Sequence, residues 1–168
     1  MADIIRLIFL TVVVTSTSIL LKLISAKFFP LVYPGDIIAL YYRDEKLVRG
    51  FPYIERPLEY PPLIALFIYL TSLPHLSPEE HLVLSGFLLS LFAVASSLLI
   101  RGLGADVQEV LKYWLLTPSF VVYAVYNWDL IPVFFVLLSI RLLAGERNFE
   151  AGLSLGAAFS AKIYPLAL

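Results

Sequence analysis

Apolar positions gather into six runs, at residues 4–24, 63–73, 82–100, 110–125, 130–143 and 149–168, with polar breaks between them. No run alternates apolar and polar residues as a half-buried strand would, so the pattern predicts helices throughout. The breaks carry helix punctuation. "SPEE" at 77–80 has the form of a capping box, with Ser77 as N-cap, Pro78 at the first helical position and Glu80 at the third. "DVQE" at 106–109 reads the same way with Asp106 as cap, and "AGERN" at 144–148 is a turn. The first run is long enough to cross ~30 Å of hydrocarbon as a helix. It lacks a small-residue cleavage site and exceeds the h-region of a signal peptide, so it reads as a retained span.

Composition turns this helical pattern into a membrane one. Of 168 residues, 60% are hydrophobic and only 15% charged, against about 45–50% and about 25% in soluble domains. Mean hydropathy is +0.89. The expected fold class is an all-α, polytopic membrane helix bundle, a single transmembrane domain over residues 1–168 in the cell membrane, with the lipid bilayer as its first partner. Aromatic residues make up 14% of the chain and suit anchoring at membrane–water boundaries. A net charge of −1 gives no electrostatic case for nucleic acid. The absence of cysteine excludes disulfides and Cys-ligated metals.

The longest polar break, residues 27–62, contains "PGDIIALYYRDEKLVRG". Asp36 is placed to cap a short helix there and Gly50 to follow its end. Ile37, Leu40, Tyr41 and Val48 fall near one face, the pattern of a helix lying in the membrane interface. Near the other end of the chain, Gly152, Gly156 and Ser160 recur every four residues and predict a close helix–helix contact in lipid.

Candidate chemistry rests on few side chains. Asp36 reads as a helix cap or as a catalytic carboxylate held at a fixed point by that cap. Asp129, in "YNWDLIP", reads as a cap for the helix near Leu130, or as a carboxylate facing a cavity or a partner. Lys162 lies inside an apolar run, either snorkelling to headgroups or serving a site. Glu59 reads as an interfacial charge, and Arg49 and Arg56 as headgroup contacts. His75 and His81 flank "LSPEE" without metal-ligand spacing and read as loop residues. With no phosphate loop, nucleophile elbow or HExxH motif, chemistry here would use carboxylates and cations at the membrane surface, with no cofactor and no metal.

The order of these features resembles a known family. A first span, an Asp heading a long loop, a Tyr-rich interfacial helix and "EYPPL" opening the next segment are followed by "YNWDLIP" and by a small-residue helix ending in "KIYP". This resembles the N-terminal half of the GT-C superfold of membrane glycosyltransferases, and in particular the polyprenyl-phosphate-mannose-dependent mannosyltransferases. The resemblance implies an extracytoplasmic first loop over residues 27–62 and a polyprenyl-phosphate-sugar donor. It implies Asp36 as the general base, with Lys162, Arg49, Arg56, Glu59, Tyr60, Asn127 and Asp129 around the donor. Such enzymes carry further spans after the Lys-x-Tyr-Pro helix, so the expectation is an N-terminal part of a longer bundle, completed in one version by a second chain. The rival is a non-catalytic membrane subunit or a lipid-flipping half-transporter that needs a partner.

A shared site imposes one topological condition. Three runs separate Asp36 from Asp129, so one of them must fail to cross. Residues 63–73, roughly 16 Å as a helix, are the shortest. Placing the Arg-bearing turns at Arg101, Arg141 and Arg147 inside then sets Asp36, Asp129 and Lys162 on one outer face.

Overall fold

The computed structural model describes residues 1–28, 35–43 and 50–167, without the side chains of 166 and 167; Val48 and Arg49 fall outside that set. The described residues are mainly helical, with no strand beyond one isolated bridge between Pro52 and Arg56. The helices are α1 (Ala2–Phe28), α2 (Asp36–Arg43), α3 (Pro62–Ser72), α4 (Pro78–Gly102), α5 (Val107–Val110), α6 (Pro118–Tyr123), α7 (Leu130–Leu143) and α8 (Asn148–Ala161). A π-helical turn, Leu111–Leu115, follows α5, and a 3-10 turn, Tyr164–Ala167, follows α8.

Both capping boxes form. Ser77 accepts from the Glu80 amide, Asp106 accepts from the Glu109 amide, and each glutamate returns to its cap's backbone. The cap of α2 departs from the expectation. Ala39 donates to Gly35 O, so Gly35 holds the cap position and Asp36 begins the helix. The buried face of α2, Ile37, Ile38, Leu40 and Tyr41, packs on α4.

α1 and α4 are long and apolar enough to cross a membrane. Only 28% of the apolar window of α1 and 39% of that of α4 is buried, whereas a core helix in a soluble protein is mostly covered. The two pack along each other with hydroxyls inward. Thr11 donates to Ser97 at 3.2 Å, and Thr15, Ser18, Ser85 and Ser96 are fully buried. Outward lie Phe9, 65% exposed, and Phe87, 59% exposed. Apolar outside and small polar inside is the arrangement of helices packed in lipid.

Three further sequence readings are corrected. Residues 110–125 are not one helix. Pro118 offers no amide to the turn before it, Leu116 reaches back five residues to Leu111 O, and Thr117 caps the restart at α6. Gly152 and Gly156 have no neighbour within 4 Å where a side chain would begin. α8 instead meets α7 through its other face, with Ser139 donating to Ala151 O and Ser154 to Phe135 O. His81 is not a loop residue. It is buried on α4, 3.3 Å from Thr71 O and with its ring 4.8 Å from that of Tyr41. His75, by contrast, is exposed in the turn before α4.

The helix order sets which residues share an end. α3 starts and finishes at the same end of the bundle. Tyr60, just before it, stacks on Trp128 at 4.8 Å, and Leu76, just after it, accepts from Tyr41 at 2.8 Å. α4 then runs to the opposite end, where Arg141 lies beside Gly102. The broken segment of α5, the π turn and α6 returns, α7 descends and α8 returns.

Candidate functional site

The loop between α6 and α7 is the centre of the site. Within "YNWD", Asn127 Oδ1 accepts from the Asp129 amide at 2.9 Å, and Asn127 Nδ2 donates to Asp129 Oδ2 at 2.8 Å. This Asx-type lock holds the turn. Asp129 occupies the cap position of α7, yet its side chain makes no capping bond. Its other oxygen, Oδ1, lies 3.0 Å from Lys162 Nζ. That contact is an ion pair rather than an aligned hydrogen bond, since Oδ1 is buried and has no hydrogen-bond donor. Lys162 therefore points at a carboxylate of the bundle instead of snorkelling.

Asp36 reaches the same loop through the backbone. Its amide donates to Tyr126 O at 2.8 Å. Gly35, at φ +120°, makes the approach possible, because a Cβ there would lie 2.7 Å from Tyr126 O. Asp36, Asn127, Asp129 and Lys162 are thus gathered at one end of the bundle, as is Tyr60 through Trp128. The indole N–H of Trp128, fully buried, finds no acceptor among the described residues.

Other candidates stand further out. Glu59 is paired with Arg43 at 2.6 Å on an exposed surface. Arg56 closes a small hairpin, its carbonyl accepting from the Tyr53 amide at 2.8 Å and its aliphatic stem lying on Gly50. Arg49 is outside the described residues. Among the described residues no cluster of three metal-ligating side chains occurs.

Tyr164, in "KIYP", sits beside Asp129. Burial, and then the Asp129 charge, push its phenol up to about 12. A cavity of about 370 Å³ opens next to Asp129, between the π turn, α6 and the start of α7, with Trp114, Phe120 and Tyr123 among its walls. Its lining is mostly apolar and aromatic, with Asp129 at one edge.

One residue escaped the sequence reading. Lys22, on α1, is only 8% exposed, and its ammonium stands 4.7 Å from the centre of the Tyr126 ring. The signal was the one that drew attention to Lys162: a lysine inside an apolar run. Comparison with protein-family models, with curated proteins and with solved structures finds no match to this chain.

Proposed function

We propose that this chain is a multi-pass membrane glycosyltransferase of the GT-C type, moving a mannose-like hexose from a polyprenyl-phosphate donor to an outward-facing acceptor. The observation that carries the reading is the Lys162–Asp129 ion pair, 3.0 Å long, at the end of the bundle where Asp36 joins Tyr126. The adjoining apolar cavity supports it, since a polyprenyl chain needs an aromatic, lipid-like bed beside a charged head site.

In this mechanism Asp36 takes the proton of the acceptor hydroxyl. The acceptor oxygen bonds to the anomeric carbon as the bond from that carbon to the phosphate oxygen breaks, through an oxocarbenium-like state. The bonding pair leaves with the lipid phosphate. Lys162 neutralises it, held in line by Asp129 and, through Asp129, by Asn127. Arg56 or Arg49 follows as a further cation. Tyr60 lines the rim, and Glu59 restrains Arg43 there.

The closed ion pair also favours a second reading. A lysine already matched by a carboxylate can serve simply to fasten the end of α8 to the start of α7, as in a non-catalytic subunit. The two part in membranes carrying the chain and supplied with radiolabelled polyprenyl-phosphate mannose. The transferase moves label from lipid to an acceptor above an empty-vector control. Label that stays on the lipid, while the chain is present and folded, sides with the subunit.

A further inference from the structure

Lys22 belongs to the inward stripe of α1. The buried residues of that helix are Leu7, Thr11, Val14, Thr15, Ser18 and Lys22, a helical spacing that ends on the lysine. A snorkelling lysine runs its stem along lipid, whereas this side chain is 8% exposed and turned into the bundle. It lies six positions before the end of α1 at Phe28, about 9 Å of helix. Among the described residues no carboxylate pairs with it, and its one charge contact is the Tyr126 ring at 4.7 Å. A cation–π contact offsets only part of the cost of a buried charge, so such a group calls for an anion. Its neighbours tie Lys22 to the candidate site. The Tyr126 ring meets the Tyr123 ring at 5.1 Å, Tyr123 lines the cavity that Asp129 borders, and the Tyr126 carbonyl holds Asp36.

We propose that Lys22 is a second phosphate-binding residue, which together with Lys162 holds the phosphate of the polyprenyl lipid. The proposal rests on the glycosyltransferase reading and extends it. A donor or product phosphate, rather than a carboxylate of the protein, supplies the missing counter-charge. The lysine then contributes only when the lipid is bound, and Tyr126 keeps it aimed in the meantime.

Farnesyl phosphate, with farnesol as the uncharged control, tests this on the purified chain in lipid nanodiscs. Wild type is expected to bind the phosphate more tightly than the alcohol. Lys22→Met is expected to weaken farnesyl phosphate by about tenfold to a hundredfold, the loss of one charge-assisted contact, with farnesol unaffected. Lys22→Arg is expected to stay within about threefold of wild type, because the charge is kept. A second measurement needs no mutation: saturating farnesyl phosphate should slow modification of Lys22 by fluorodinitrobenzene, read by peptide mass spectrometry, and farnesol should not. An unchanged modification rate, or Lys22→Met binding like wild type while Lys162→Met is weakened, overturns the role of Lys22 and leaves the glycosyltransferase reading standing. Wild type binding phosphate and alcohol alike overturns both.

Discussion

Asp36 and Tyr126 are 90 positions apart and share a backbone hydrogen bond of 2.8 Å. That bond fastens the head of the first loop to the turn that carries Asn127 and Asp129. It depends on Gly35, whose φ of +120° and open side leave room for the Tyr126 carbonyl. Gly35→Ala should therefore lower stability by about 1–3 kcal/mol. Gly104→Ala makes the control. Gly104 has a similar φ of +114° but nothing within 4 Å, so it carries backbone strain without the clash. Thermal unfolding followed by tryptophan fluorescence should rank Gly35→Ala below Gly104→Ala, and equal midpoints would contradict the docking of Asp36 on Tyr126.

Tyr164 supplies a pH signature for the site. Its phenol is pushed up to about 12 in the folded chain, against an ordinary value near 10. The folded state holds that proton more tightly, so the contribution of Tyr164 is complete below pH ~10 and is lost as pH rises towards ~12. Stability should fall with a steeper slope across that window than in Tyr164→Phe. Because Asp129 is the second cause, Asp129→Asn should bring the phenol part of the way back. Phenolate absorbance of wild type minus Tyr164→Phe reads it directly, and a titration unchanged in Asp129→Asn would separate Tyr164 from the site.

Sidedness is open to cysteine labelling, since the chain has no native cysteine. Pro57 and Arg101 are both exposed and lie towards opposite ends of the bundle. In sealed cells a membrane-impermeant maleimide should label Pro57→Cys and spare Arg101→Cys until the membrane is opened. Labelling of both from the same side would contradict the orientation in which the Arg-bearing turns face inward.

Local signals were legible in the sequence and long-range ones were not. The boxes at Ser77 and Asp106 depend on residues three apart and form as the pattern predicts. Pro118 already marked a break inside residues 110–125, yet the apolar run hid it. The small-residue face at Gly152 and Gly156 misled because spacing shows that a face is smooth, not that a neighbour covers it. Asp129 and Lys162 are 33 positions apart, and their pairing at 3.0 Å follows from how the helices alternate between the two ends of the bundle. The step that decides this alternation is α3, which starts and ends at the same end. Its shortness was visible, but its path depends on Trp128 and Tyr41, which no local pattern connects to it. Lys22 was readable by the rule applied to Lys162, and a continuous hydrophobic run concealed it.

In the proposed reaction Asp36 and Lys162 divide the labour, and one paired measurement tests this most directly. The Lys162–Asp129 pair is partly exposed, at 30% and 46%, so breaking it should cost less than about 1 kcal/mol of stability. Farnesyl phosphate binding and transfer of label from radiolabelled polyprenyl-phosphate mannose are measured together on Asp36→Asn and Lys162→Met. The prediction is that Asp36→Asn binds like wild type but loses about 10²–10⁴ in transfer rate, while Lys162→Met weakens binding by about 1.5–3 kcal/mol. Near-normal transfer by Asp36→Asn, or unchanged binding by Lys162→Met, would contradict it.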